Sequence, residues 1–352
     1  MIDSTHTLGF VLDADHEAHQ PPEVASGRRD HVRLLVSPGD APPVHARFDA
    51  IGEFLRPGDL LVVNTSATIP AAVDARLPDG DPVVVHFSGE LPGGMLLVEV
   101  RQPDSGTTTP RFLEQPVELD LLGLGRVQLH ARYDGSRRLW LASGTFADGA
   151  SLGSFLDVHG RPIRYRHVPR EWPIEAYQTV FAREPGSVEM PSAARPFSTE
   201  LVTDLVGRGI AIAPLVLHTG VSSLEGDERP YPERYCVRSA TASAVDAARH
   251  NGGRVIAIGT TVVRALATVT DERGVVHPGQ GWTDVMVTAD TAVRSVDGLV
   301  TGWHEPESTH LMMLESFADA DVLERAYAAA LDQGYLWHEF GDSHLILRDE
   351  AT

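Results

Sequence analysis

Between residues 83 and 141 apolar and polar positions alternate in short runs broken by turn residues. Val127, Leu129, Ala131 and Tyr133 alternate with Gln128, His130 and Arg132, the two-residue period of a half-buried strand. Asp134-Gly135 then reads as a hairpin turn before a strand at 138–141, and 95–100 supplies another. The pattern predicts a small β-barrel or sandwich over 73–150, inserted into a larger domain made of 1–72 and 151–352.

Outside that block the period lengthens. A helical spacing over 199–206 precedes an apolar run at 210–217. A second, over 240–249, precedes the run Val255 to Ile258. Further strands are expected at Val285 and Leu299, and two helices across 308–331. Strands alternating with helices predict an α/β main domain with a mostly parallel sheet and a site at its strand ends. Gly259 ends one apolar run, and Thr260 and Thr261 stand where they would cap a helix beginning near Val262. Such an N-terminus offers N–H groups to an anion, although ordinary capping explains the same residues.

Residues 177–197 keep no period after Ala182 and are dense in polar side chains, Pro and Gly. Val180, Phe181, Val188, Met190 and Phe197 supply apolar anchors, so the segment reads as a built loop and not as a disordered one. Pro21-Pro22 marks another irregular stretch near the N-terminus.

Composition narrows the chemistry. The chain of 352 residues is 42% hydrophobic and 22% charged, ordinary for a globular protein of one large domain or two. The single cysteine, Cys236, excludes an internal disulfide and a cysteine-based zinc site. All 29 basic residues are arginine. Lysine Schiff-base catalysis, a phosphate-loop lysine and a pyridoxal phosphate linkage are therefore excluded. No His-Glu-x-x-His pair occurs, which speaks against a metallohydrolase, and no metal site is expected. There is no signal-peptide pattern and no run of membrane-spanning length, so a cytoplasmic location away from membranes is expected. The formal net charge of −20 works against a nucleic-acid partner.

Three segments carry most of the specific signal: 177–197; 254–268, with Gly259-Thr260-Thr261; and 297–317, with Trp303-His304-Glu305-Pro306-Glu307. With Leu55 to Asn64, Ile69-Pro70-Ala71, Leu217-His218 followed by Gly220, and Tyr335 with Gly341-Asp342, they stand in one order along nearly the whole chain. In this the sequence resembles the S-adenosylmethionine:tRNA ribosyltransferase-isomerases of the queuosine pathway. The resemblance implies the same inserted barrel. It also implies transfer and rearrangement of the ribosyl part of S-adenosylmethionine onto a 7-aminomethyl-7-deazaguanine in tRNA, with release of adenine and methionine.

That chemistry needs a base for the acidified C5′–H, a donor for the departing adenine, cations or N–H groups for the methionine carboxylate, and oxygen or aromatic faces around the sulfonium. It needs no metal, redox group or tightly bound cofactor; S-adenosylmethionine enters as co-substrate. His218 and His304 are the candidate base and donor, in either order; their bland alternatives are a capped strand-end histidine and a solvated loop histidine. Candidate binding residues are Tyr177, Gln178, Ser192, Gly259, Thr260, Thr261, Arg264, Trp303, Glu307, Asn64, Glu233 and Tyr235. Arg264 is either a ligand contact or an ion-pair partner of Asp297 or Glu307. Tyr177 and Gln178 either line the adenine pocket or pack beneath the loop, and Tyr235 is equally a half-buried strand residue.

The sequence also departs from the family pattern. Ala67 and Ala72 stand where arginines are expected, Pro196 where a histidine is, beside an added Arg195, and Glu225 where Arg or Gln is usual. Ser222-Ser223-Leu224 and Thr288-Ala289-Asp290 replace two further motifs. These changes are expected to leave the nucleoside-sulfonium site better preserved than the acceptor site. Three readings follow: the family activity on tRNA, a paralogue with a small-molecule acceptor, or a non-catalytic nucleoside-binding protein.

Overall fold

The computed structural model describes residues 9–104, 106–221, 231–306 and 308–348. Its main sheet has nine strands in the order Gly279–Thr283, Glu233–Val237, Ala211–Leu217, Leu60–Asn64, Val255–Ile258, Gly298–Gly302, Ser343–Leu347, Arg33–Pro38, Val44–Arg47. Four neighbouring strands at its centre, from Ala211–Leu217 to Gly298–Gly302, run parallel. Arg33–Pro38 and Ser343–Leu347 are also parallel, and the remaining four pairings are antiparallel. The sheet is therefore mixed, where the alternation of strands and helices predicted a mostly parallel one. Antiparallel strands added on both sides of the parallel centre account for the difference.

Period-two burial explains the centre. Leu60 and Val62, with Val255 and Ala257, face one core with the helices Ser239–His250, Thr260–Val269 and Ala320–Asp332. Leu61 and Val63, with Ile256 and Ile258, face the other, under the helix Thr199–Gly207 and the 3-10 turn Phe48–Glu53. Strands covered on both faces have no polar side, which is why they read as unbroken apolar runs. The strand expected at Val285 is absent; the chain instead forms Gly279–Thr283 just before it. That strand is short, glycine-rich and half exposed, so it carried no alternation to read.

The second unit is a closed antiparallel barrel. Its ring runs Leu139–Phe146, Gly125–Arg132, Glu118–Asp120, Ala72–Arg76, Pro82–Glu90, Leu96–Asp104 and back to Leu139–Phe146, with Thr107–Pro110 paired outside it. Val127 and Leu129 point into its core as the alternation predicts. Ala131 is exposed, because a register shift between Leu129 and Ala131 breaks the alternation there.

The 177–197 segment is built, as expected. It forms the 3-10 turns Ile174–Tyr177 and Ser192–Ala194 and the short strand Glu184–Ser187, which pairs in parallel with Ser66–Thr68. Val188 and Phe197 are buried, whereas Val180 is exposed.

Candidate functional site

Because the four central strands run in parallel, their carboxyl ends lie side by side. His218 follows the first, Ser66 the second, Gly259 to Thr261 the third, and Trp303 and His304 the fourth. Above them opens a cleft of about 1010 Å³, walled on the other side by barrel residues including Phe87, Ser88, Gly89 and Arg101. Gly220 sits at the junction, where the Val221 N–H donates to Ser88 Oγ at 3.1 Å. A Cβ on Gly220 would lie 2.8 Å from that oxygen, so a side chain there would displace the Ser88 hydroxyl.

His218 and His304 both line this cleft. They stand at the ends of strands three steps apart in the sheet, roughly 14 Å at the usual strand spacing. His218 Nδ1 lies 2.7 Å from Ser66 Oγ, and the His218 backbone N–H donates to the Arg234 carbonyl at 2.9 Å. Burial and the nearby Arg234 hold its pKa below the ordinary value, partly opposed by Glu184. Gly186 packs against the ring so closely that a Cβ there would lie 2.4 Å from Nδ1. His304 Nε2 lies 2.8 Å from Thr301 Oγ1, and its ring stacks on His310 at 4.8 Å between centroids and 5° between planes. Burial, then the neighbouring His310, His344 and His338, drive His304 well below the usual range. Burial likewise lowers His310 to about 4. His218, His304 and His310 are thus presented uncharged at neutral pH.

Glu233 and Arg264 also border the cleft, joined to each other. Glu233 Oε1 accepts from the Gly220 N–H at 3.0 Å, while Arg264 Nε donates to the Val285 carbonyl at 3.0 Å and a terminal nitrogen to that of Thr283 at 3.3 Å. Burial raises the Glu233 carboxyl, against the pull of Arg264 and the Gly220 amide. The arginine's partner is therefore Glu233. Asp297 instead accepts from the Val255 N–H at 2.8 Å, and Glu307 lies outside the described residues.

The first turn of the helix Thr260–Val269 lines the cleft, but the cap differs from expectation. Gly259 is the N-cap, at φ +97°, and neither threonine caps the helix. Thr261 Oγ1 accepts from Asn64 Nδ2 at 3.3 Å. Ser192 and Tyr177 line the cleft too. Trp303 borders it while lying in an aromatic stack, its ring parallel to His344 at 4.8 Å.

Three predicted binding residues hold the frame and do not line the cleft. Asn64 is wholly buried, donating to the Leu217 carbonyl at 2.8 Å and accepting from the Leu217 and Ser66 amides at 3.1 Å. Gln178 clips the Thr68 backbone in both directions, at 3.0 and 2.8 Å. Tyr235 packs against the core beneath the helix Thr260–Val269. Each amide was drawn to a backbone edge that a sequence does not display.

The departures from the family pattern fall differently from expectation. Pro196 and Arg195 are buried away from the cleft; Arg195 bonds Glu23 at 2.9 and 3.0 Å and the Ala176 carbonyl at 2.9 Å. The proline therefore removes no histidine from the cleft wall. Ala72 is buried at the barrel root, and Ala67 is half-buried on Ser66–Thr68. Ser222, Ser223, Leu224 and Glu225 lie outside the described residues.

Several cleft residues escaped sequence reasoning. Tyr165 donates to Glu189, and Thr219 Oγ1 donates to the Glu189 carbonyl at 2.5 Å. At one rim His167 stacks on His338, centroids 3.8 Å apart, and bonds Glu339 at 2.6 Å. Their signal is faint, since each partner comes from a distant segment. Among the described residues, no three His, Cys, Asp or Glu side chains gather as metal ligands, and no helix is long and apolar enough to cross a membrane.

Comparison with known proteins agrees with this geometry. A family model described as a queuosine biosynthesis protein matches residues 5–346. An S-adenosylmethionine:tRNA ribosyltransferase-isomerase of Geobacter sulfurreducens is 33% identical over 96% of this chain and 100% of its own length. The protein of that name from Thermus thermophilus is 34% identical over 94% of this chain and 98% of its own. A crystal structure of an S-adenosylmethionine tRNA ribosyltransferase from Thermotoga maritima superposes with a TM-score of 0.53, at 26% identity, covering 97% of this chain and 99% of that one.

Proposed function

Since this chain belongs to the queuosine biosynthesis protein family of S-adenosylmethionine:tRNA ribosyltransferase-isomerases, we propose that its cleft performs the family reaction. S-adenosylmethionine enters as co-substrate, and its ribosyl part passes to a 7-aminomethyl-7-deazaguanine carried by tRNA. The observation that carries this reading is the gathering of His218, Gly259 to Thr261, Trp303 and His304 in one cleft, at the ends of three of the four central parallel strands. The first helical turn at Thr260 supplies N–H groups for a carboxylate, since Arg264 is engaged by Glu233. The neutral histidines supply a base for the C5′–H and a donor for the leaving purine. The 73–150 barrel serves as an inserted domain that closes the cleft from above.

The tRNA reading is supported over a small-molecule acceptor by two arginines. Arg166 and Arg234 line the cleft, are exposed, and have no ion pair among the described residues. They offer local cations for phosphate on a protein that is acidic overall. The test is incubation with S-adenosylmethionine, with and without tRNA bearing the deazaguanine, measuring released adenine and methionine. Release dependent on that tRNA is expected. No release, or equal release with a free deazaguanine base, would overturn the tRNA reading.

A further inference from the structure

The hydrogen bonds behind His218 determine which of its ring nitrogens carries the proton. The Thr219 N–H donates to Ser187 Oγ at 3.2 Å, and Ser187 Oγ donates to Ser66 Oγ at 2.7 Å. Ser66 Oγ lies 2.7 Å from His218 Nδ1. Each hydroxyl has one proton to give. Ser187 gives its proton to Ser66, and the proton of Ser66 has no acceptor among the described residues except Nδ1. Ser66 and Ser187 are 1% and 0% exposed, so bulk water does not take it instead. A donating Nδ1–H would strand that buried hydroxyl proton without a partner.

We infer that the Thr219–Ser187–Ser66 relay holds His218 as the Nε2–H tautomer and that this N–H is presented to the cleft as a hydrogen-bond donor. The ring therefore does not act as the base toward C5′–H, a role that falls to another group. Its lowered pKa, set by burial and Arg234 and partly opposed by Glu184, keeps it neutral. Ser66 and Ser187 are positioning residues, acting through the imidazole. The tautomer stands on the hydrogen bonds alone; only the identity of the acceptor, a substrate atom, rests on the proposed function.

Long-range ¹H–¹⁵N correlation of histidine-labelled protein tests it without substrate, His218 being assigned by loss of its signals in His218→Gln. The expected pattern is a protonated Nε2 and an unprotonated Nδ1 at pH 7, with Ser66→Ala or Ser187→Ala giving a tautomer mixture. An Nδ1–H ring or an imidazolium in the wild type would overturn the inference and leave the proposed reaction standing. Turnover gives a second readout. His218→Gln places an amide N–H near the position of Nε2 and should keep activity within about tenfold, while His218→Ala should lose roughly 10²–10⁴-fold, the range of a positioned acid or base. Glutamine and alanine variants equally inactive, both still folded by circular dichroism, would show the ring to be a base. Absence of adenine release from wild type would instead sink the proposed function, whatever the tautomer.

Discussion

Replacing Arg264 by methionine would leave the Glu233 carboxylate without its cation in a site that solvent barely reaches. The two side chains are 10% and 14% exposed, and the carboxyl already sits above its ordinary pKa because of burial. Breaking a buried pair from one side costs about 3–5 kcal/mol, because the surviving charge keeps its desolvation cost. The carbonyls of Val285 and Thr283 lose their donor as well, so Arg264→Met should fall at the upper part of that range. Glu233→Gln keeps an acceptor for the Gly220 N–H and orphans the arginine instead. The double variant removes both charges and should be more stable than Arg264→Met alone. Urea unfolding of all four proteins closes the cycle, provided fluorescence and circular dichroism transitions coincide. A coupling energy of about 1.5 kcal/mol or more is expected. Single effects that add to within about 0.5 kcal/mol would mean the two groups do not sense each other, and the described pairing would be wrong.

Three further outcomes are expected. Burial lowers His310 and His338 to about 4 and His344 to about 3, so in acid the unfolded chain takes up protons before the folded one. Their contribution is complete above the ordinary value of 6.5 and is lost as pH falls from there through 4 and 3. At about 1.4 kcal/mol per unit, each should remove on the order of 3 kcal/mol by pH 4. A melting temperature unchanged between pH 7 and 4.5 would contradict this. Gly186→Ala, whose Cβ would meet the His218 ring, should reduce adenine release by about 10²-fold or more, well beyond its effect on the urea midpoint; full turnover would show that the ring is not needed in that place. Arg166→Ala and Arg234→Ala should each lower the salt slope of tRNA binding by about 1, read from affinities across a salt series, while slopes identical to wild type would place the phosphates elsewhere.

The fold was legible where burial is two-sided or cleanly alternating. Val255–Ile258 and the barrel strands carried those patterns, and the turns between them carried Gly and Asp. Glu233–Val237 and Gly279–Thr283 are half exposed and lack a strong period, and their antiparallel addition makes the sheet mixed. At the site, His218 and His304 were marked by following apolar strands. The roles of Asn64 and Gln178 were not, because an amide side chain reads alike whether it meets a ligand or a backbone edge. Arg264 and Glu233 are 31 positions apart, and only the docking of the helix Thr260–Val269 on the strand Glu233–Val237 joins them. Ser66 and Ser187, 121 positions apart, meet only through the short ribbon formed by Ser66–Thr68 and Glu184–Ser187.

Both connections between the barrel and the rest of the molecule pass through one place. The outgoing chain leaves Ser66–Thr68 and enters the barrel at Ala72; the returning chain comes back through the helix Leu152–His159 to Arg161. Ala72 and Arg161 then bond each other's backbone, at 3.0 and 2.9 Å. The chain's entry into the barrel and its exit are thus clamped to each other at one bridge. The short segment that brings Ser66 to His218 is thus the same one that leads the chain into the barrel.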